Sequence, residues 1–199
     1  MGKRQEQAQM TRQKIICAAK QLFFERGYEN ISVSDIAQAA GVAKGSFYTY
    51  FEHKEDIIRA ITNEFDDIRL LSLNLEGDVC QKIYTFLTAS MARIVRMGIS
   101  ITREWMRCAV VPQQITGMDK LGFDLRSIED ILAASISSGE LVQNTPVDDI
   151  AHWICAEYYG LVSNWCITDG AMDPVSLIEK FCTKPLVQII SIYSQQAST

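Results

Sequence analysis

Residues Ser32 to Lys54 read SVSDIAQAAGVAKGSFYTYFEHK, and this stretch carries the clearest structural signal in the N-terminal part of the chain. The Ser32 hydroxyl can accept a hydrogen bond from the first free amides of a helix, and Asp35 completes a capping box. Gly41 supplies the backbone freedom that a tight turn requires. A second short helix follows, rich in small, hydroxyl and aromatic side chains. The pattern predicts a helix-turn-helix over about residues 32–51.

The second helix of this pair has side chains suited to the major groove of DNA. The N-terminal half of a recognition helix meets base edges, and Lys44 can reach guanine acceptors or a phosphate. Gly45 lets the backbone come close to the duplex, while Phe47 and Phe51 are expected in the core. Lys54 combines a cation with the free amides of the next helix, which favours a phosphate. The predicted DNA contacts are Ser34, Lys44, Gly45, Ser46, Tyr48, Thr49, Tyr50 and Lys54.

A longer segment around this stretch carries a family pattern. The matching residues are Ala18-Ala19, Leu22-Phe23, Gly27-Tyr28, Ile36-Ala37, Ala40-Gly41-Val42, Gly45-Ser46-Phe47-Tyr48, Tyr50-Phe51 and Lys54-Glu55. With these residues, the segment from Thr11 to Ile58 closely resembles the DNA-binding domain of the TetR family of repressors. The resemblance implies a homodimer in which helices one to three bind DNA, helix four transmits, and the remaining helices bind a small ligand and the partner subunit. It also implies that ligand binding releases the operator.

Two positions depart from the common family pattern. Ala43 stands where a serine or threonine often caps the third helix, and His53 stands where a serine or asparagine often caps the fourth. Each loses a favoured cap, which is typically worth about 0.5–2 kcal/mol. The imidazole of His53 could cap weakly or meet a phosphate. For Tyr48, a partly buried position stays open as the alternative to DNA contact.

The rest of the chain repeats apolar residues at intervals of three and four, which predicts an all-α fold of about nine helices. The first helix is expected over about Gln9–Arg26, and the fourth is expected to continue toward Leu75. Start signals stand at Thr145-Pro146 and Asp173-Pro174, and Pro185 should kink the last helix. We expect a DNA-binding domain over residues 9–69 and a helical ligand-binding and dimerisation domain over residues 70–199.

Charge is distributed unevenly along the chain. Residues 1–60 hold nine Lys and Arg against seven Asp and Glu, whereas the remaining residues hold ten against seventeen. The net charge of −5 is therefore the sum of +2 in residues 1–60 and −7 in residues 61–199. Because phosphate affinity depends on where cations lie, the N-terminal part can bind DNA although the chain is acidic overall.

The predicted C-terminal domain has more large apolar residues than one small core needs. A pocket between its helices would suit a small, largely apolar or aromatic effector, although ordinary core packing is the alternative for each residue. The candidate ligand contacts are Phe86, Met97, Trp105, Met106, Phe123, Trp153, Glu157 and Tyr158. The candidate dimer contacts are Ile154, Leu161, Trp165, Ile178, Phe181, Ile189 and Tyr193. A twofold dimer would place two recognition helices about 34–36 Å apart, or a multiple of that, on a palindromic operator.

Other functions are weaker readings of the same residues. The six cysteines form no CxxC pair and match no zinc motif, so we expect reduced, mostly buried thiols in a cytoplasmic protein. A redox-sensing regulator that acts through Cys108, Cys155 or Cys166 is the alternative. An enzyme is less favoured, because His152 near Cys155 lacks a third partner and a core histidine is the simpler interpretation. We expect no catalytic residues, cofactor, metal or membrane span.

Overall fold

The computed structural model describes residues 2–62, 75–110 and 120–195. Within these ranges the chain forms ten helices. They are α1 (Lys3–Arg26), α2 (Val33–Ala39), α3 (Lys44–Tyr48), α4 (Glu55–Thr62), α5 (Val79–Met97), α6 (Ile99–Val110), α7 (Lys120–Ser137), α8 (Val147–Ile167), α9 (Pro174–Thr183) and α10 (Pro185–Ser191). The predicted all-α fold is confirmed. In the described part of the chain, strand-like pairing is limited to an isolated bridge between Leu141 and Ser194.

Spatial contacts divide the chain into two compact units. The first comprises Met1–Glu64 and Met97–Pro112, and the second comprises Phe65–Arg96 and Gln113–Thr199. The first unit therefore includes α6, which the sequence analysis placed in the C-terminal domain. Compactness does not show which segments fold independently, so the domain limits 9–69 and 70–199 stay a prediction. None of the described helices is long and apolar enough to cross a lipid bilayer.

In the first unit, α1 packs against α2, α4 and α6, and α2 packs against α3. The core side chains come from every one of these helices and from the loops between them. They include Ile15, Ile16, Ala19 and Phe23 of α1, Ile36 and Ala37 of α2, Phe47 of α3, and Ile57, Ile58 and Ile61 of α4. The short helices α2 and α3 are stabilised by this shared core, because helices of so few residues are marginal alone.

The observed helix ends correct two sequence expectations. Helix α1 begins at Lys3 and not near Gln9, because its first turns consist of exposed polar residues that form helices well without an apolar face. Helix α8 begins at Val147, so Pro146 is its N-cap residue and Thr145 does not cap it. The Thr145 hydroxyl donates to the Val142 carbonyl instead, at 2.6 Å. The predicted continuation of α4 toward Leu75 lies largely outside the described residues.

The start signal at Asp173-Pro174 and the break at Pro185 are confirmed. Asp173 caps α9, since its carboxylate accepts a hydrogen bond from the Val175 amide at 3.0 Å, and Pro174 begins the helix. Pro185 separates α9 from α10, with Lys184 between them at φ −130°. The break follows because a proline lacks the amide that would continue the helical hydrogen bonds.

In the second unit, α8 packs against α7 and α9, and α9 packs against α10. Two polar contacts also join its elements. The Val79 amide donates to Glu140 Oε1 at 2.7 Å, and the Tyr84 hydroxyl donates to Glu179 Oε1 at 3.4 Å. The predicted ligand residues Phe86 and Tyr158 are buried here, and Phe123 is half-buried.

The predicted ligand and dimer contacts of the C-terminal part differ in their exposure within the subunit. Trp153 and Glu157 are exposed, so they do not line the interior. The four predicted dimer residues Ile154, Leu161, Trp165 and Ile178 are buried within the subunit, whereas Phe181, Ile189 and Tyr193 are half-buried. His152 is exposed and is not a core histidine. Periodicity identifies the apolar residues of a helix, but both a core and a partner subunit can cover them, so the ligand and dimer contacts stay predictions.

Candidate nucleic-acid interface

The helix-turn-helix is held by local hydrogen bonds that the sequence predicts. The Ser32 hydroxyl accepts from the Asp35 amide at 3.2 Å, and Asp35 Oδ2 accepts from the Ser32 amide at 2.8 Å. These two bonds form the predicted capping box of α2. Gly41 adopts φ +68° in the turn, a backbone conformation that a side chain would strain. The Val42 amide then donates to the Ala37 carbonyl at 3.0 Å, which closes the turn.

Helix α3 has one buried side and one side that faces solvent. Phe47 is fully buried, and its ring centroid lies 5.6 Å from that of Phe51. On the outward side, Lys44 and Thr49 are exposed and Tyr48 is 52% exposed. Gly45 is also exposed, and a side chain added there would meet no atom within 4 Å. The structure therefore brings these four predicted residues together on the outward side of α3.

The remaining predicted contacts are distributed around this surface. Ser34 on α2 is exposed, whereas Ser46 and Tyr50 are half-buried. Ala43 is the N-cap residue of α3 and makes no side-chain hydrogen bond, as the departure from the family pattern predicts. At α4, Asp56 Oδ2 accepts from the His53 amide at 2.8 Å. An amide at the start of α4 is thus satisfied by a side chain of the same helix. The His53 side chain is exposed.

Lys54 occupies a different environment from the one that the sequence predicts. Its Nζ donates to the Tyr28 carbonyl at 2.9 Å and to the Ile31 carbonyl at 3.0 Å. It also lies 3.8 Å from the centroid of the Tyr28 ring, a cation–π distance. The ammonium group is therefore directed at the loop between α1 and α2. In the structure, Lys54 therefore contacts that loop. The sequence does not predict this contact, because neither a helix cap nor apolar periodicity shows the direction of a long side chain.

A further polar group that the sequence analysis missed joins the same loop to α6. The Tyr28 amide donates to the Ser100 hydroxyl at 2.9 Å. Arg107 of α6 forms an ion pair with the buried carboxylate of Glu104 and lies 3.8 Å from Glu55 of α4. Burial, together with the negative charges of Glu55 and Glu104, raises the pKa of the Tyr28 phenol well above its ordinary value. These residues are distant in sequence, so no local pattern could have grouped them.

The thiols give the redox alternative no support. None of the six forms a disulfide bond, and Cys17 is exposed, whereas Cys155, Cys166 and Cys182 are buried. Burial raises the pKa of Cys80 to about 11 and the pKa values of Cys155 and Cys182 to about 12. A raised pKa lowers the thiolate fraction that reacts with oxidants. Within the described ranges, no group of three or more His, Cys, Asp or Glu side chains could hold a metal ion.

Known proteins resemble this chain in sequence and in fold. Residues 15–61 match the family described as "Bacterial regulatory proteins, tetR family". The chain is 35% identical to the "Probable HTH-type transcriptional regulator ArpR" of Pseudomonas putida, with 88% of this chain and 90% of that protein covered. It is 25% identical to the "Probable acrEF/envCD operon repressor" of Escherichia coli (strain K12), covering 87% and 84%. A crystal structure of a "gamma-butyrolactone receptor (ArpA-like protein)" superimposes with a TM-score of 0.55 at 27% identity, covering 89% and 94%. This chain is therefore a member of the TetR family of transcriptional regulators.

Proposed function

We propose that this regulator is a repressor that binds a palindromic operator as a homodimer and is released by a small, largely apolar or aromatic effector. The observation that carries the proposal is the outward side of α3, where Lys44, Gly45, Tyr48 and Thr49 lie together above a buried Phe47. A cation, a bare backbone and two hydroxyls on one face suit base edges and phosphates. Binding of an operator would place the regulator in the cytoplasm.

The relatives support the two halves of this proposal separately. One relative is named an operon repressor, which supports repression. A structural relative is titled a gamma-butyrolactone receptor, which supports a response to a small molecule. The chain matches both over more than four-fifths of their lengths, so the support extends beyond the helix-turn-helix.

The contacts of α6 supply a route for the response. In α6, the Ser100 hydroxyl accepts a hydrogen bond from the Tyr28 amide, in the loop between α1 and α2 (the Tyr28 loop). Arg107 of α6 lies 3.8 Å from Glu55 of α4. The Tyr28 loop directly precedes α2, and α4 directly follows α3 and its short connection. We propose that α6 acts together with α4, the transmitter that the family resemblance implies, in coupling effector binding to the orientation of α3.

Replacing Lys44 with alanine should weaken operator binding about 5- to 150-fold, which corresponds to about 1–3 kcal/mol for a lost base contact. The measurement is fluorescence anisotropy of labelled duplexes from beside the coding region, over a range of salt concentrations. Lys180→Ala is the matched control, because Lys180 is exposed on α9 in the second unit. Unchanged binding by Lys44→Ala would show that α3 does not read the duplex.

The dimer surface is proposed to include the apolar side chains that the subunit leaves exposed in its second unit. Those that lie on α8, on α10 or directly after α10 are Trp153 (53% exposed), Ile167 (79%), Val187 (43%) and Ile192 (73%). Trp153 and Ile167 lie on α8, and Gly160 between them has no atom within 4 Å of the position of an added side chain. An open glycine beside large apolar residues permits close approach of a second helix.

Replacing Trp153 with glutamate should therefore convert the dimer to a monomer. A central aromatic residue of an interface contributes about 2 kcal/mol or more, so dimerisation should weaken about 30-fold or more. Sedimentation equilibrium measures the change, and circular dichroism checks that the fold persists. Phe24→Glu is the control, because Phe24 is an exposed aromatic residue of the first unit. If the glutamate variant of Trp153 stays dimeric, the surface has been placed wrongly.

A further inference from the structure

A buried polar cluster lies between α7 and α8 in the second unit. Lys120 Nζ is 2.5 Å from Asp124 Oδ2, and the Tyr159 hydroxyl donates to the same oxygen at 2.7 Å. The Lys120 ammonium also lies 5.2 Å from the centroid of the Tyr158 ring. Both charged side chains are about 95% buried. Four polar groups are thus held together between two helices whose other facing residues are mostly apolar.

Two atoms of this cluster lack the partners that buried polar atoms normally have. Neither Asp124 Oδ1 nor the Tyr158 hydroxyl has a hydrogen-bond partner within the described part of the chain. Leaving a buried acceptor and a buried donor unsatisfied is strongly unfavourable. Apolar residues at these positions would stabilise the subunit at least as well as the ion pair does. Stability of the fold therefore does not explain why these groups are present.

The protonation state of the phenols follows from their surroundings. Burial, and then the negative charge of Asp124, raise the pKa values of Tyr158 and Tyr159 far above the ordinary value. Both phenols are therefore protonated and can donate a hydrogen bond across the physiological pH range. Because Tyr159 already donates to Asp124 Oδ2, its orientation is fixed, whereas the Tyr158 hydroxyl has a proton to offer.

We propose that the Asp124–Tyr158 pair recognises a neutral hydroxyl group on the effector. This inference rests on the proposed function, and it specifies the effector more closely. A hydroxyl donates one hydrogen bond, which Asp124 Oδ1 accepts, and its oxygen accepts a second, which Tyr158 donates. Those are the two bonds that stay unmade within the described residues. Aromatic rings of Tyr158 and Tyr159, with centroids 5.3 Å apart, provide an apolar surface beside the hydroxyl.

The charges of the cluster select against ionised ligands. The Lys120 ammonium, paired with Asp124, repels a cation that approaches the same carboxylate. The carboxylate in turn repels an anion. A neutral hydroxyl meets neither repulsion, and its bond to a carboxylate belongs to the stronger class of hydrogen bonds. The cluster therefore favours an alcohol or a phenol over an amine or an acid.

The test uses the full-length protein and matched probes of increasing size. Phenol, para-phenylphenol and decanol are each compared with their methyl ethers, and benzylamine and benzoate serve as charged probes. Isothermal titration calorimetry measures each affinity. The best-binding hydroxyl probe should bind about tenfold or more tightly than its ether, which cannot donate to Asp124. Equal affinities for hydroxyl and ether, tighter binding of a charged probe, or no binding of any hydroxyl probe would overturn the inference.

Two variants test the named residues. Tyr158→Phe should weaken binding of the best hydroxyl probe about three- to tenfold. Its thermal midpoint without probe should not fall, because the deleted hydroxyl has no described partner in the free protein. A lower midpoint would show that the hydroxyl is already bonded, which contradicts the inference. Asp124→Asn should bring the ratio of hydroxyl to ether affinity close to one. Tyr84→Phe is the control, because the Tyr84 hydroxyl contacts Glu179 instead and its loss should not affect probe affinity.

A separate measurement distinguishes this inference from the proposed function. The same protein preparations are assayed for binding to the upstream duplex in the absence of probe. If the duplex binds but the hydroxyl preference is absent, the effector class is wrong and DNA binding stands. If the duplex does not bind, the proposed DNA-reading surface is wrong, whether or not the hydroxyl probes bind.

Discussion

Replacing Phe47 with alanine should lower the free energy of unfolding by about 3–5 kcal/mol, the range measured for aromatic core residues. Phe47 is fully buried at the base of α3, and its ring lies 5.4 Å from that of Tyr48 and 5.6 Å from that of Phe51. Helix α3 has five residues and no side-chain cap, so its position depends on this one anchor. Urea denaturation followed by circular dichroism measures the loss.

DNA binding should disappear in the same variant at temperatures where much of the protein remains folded. The outward side chains of α3 keep their identity, but the helix that aligns them loses its attachment. Phe24→Ala is the matched control, because Phe24 is 73% exposed and its truncation should change stability by no more than about 0.5 kcal/mol. If Phe47→Ala retained wild-type stability, the anchor would lie elsewhere in the unit.

Replacing Lys54 with methionine should lower the free energy of unfolding by about 2–4 kcal/mol, because hydrogen bonds to charged groups contribute about 1.5–3 kcal/mol each. The change removes the donor from the Tyr28 and Ile31 carbonyls and the cation from the Tyr28 ring. Methionine keeps an unbranched apolar stem, so the loss reports mainly on the ammonium. Urea denaturation again provides the measurement.

The control for Lys54 is Lys44→Met, which removes a cation from an exposed position on α3. That variant should keep wild-type stability to within about 0.5 kcal/mol and lose operator affinity. The two lysines thus separate stability from DNA contact. A Lys54→Met protein of unchanged stability, with weaker DNA binding and a shallower salt dependence, would restore the phosphate contact that the sequence predicts.

The local features of the helix-turn-helix are readable from the sequence because they depend on near neighbours. Ser32 and Asp35 are three residues apart, and both capping bonds are present. The missing side-chain cap at Ala43 was predicted from its residue type, and so was the break at Pro185. Each of these depends on one or two side chains and on backbone geometry that is the same in every helix.

The C-terminal part shows where this kind of prediction ends. On α8, the sequence predicts Ile154, Leu161 and Trp165 as dimer contacts, and the structure buries these residues within the subunit. Trp153, one position before Ile154, is exposed instead and is the better candidate for a partner contact. A helix with apolar residues on more than one side does not reveal which side meets its own subunit. That choice depends on where α7 and α9 pack.

The helical class, the helix-turn-helix, its outward residues and the family can be read from the sequence, because spacing and residue type act within a few turns of one helix. The surroundings of Lys54, Asp124 and Tyr158 depend on the tertiary structure. The Lys54 ammonium is directed at carbonyls more than twenty residues earlier, and Asp124 meets Tyr159 from a different helix. Contacts between side chains that are distant in the chain depend on how helices pack, and packing is a property of the whole core.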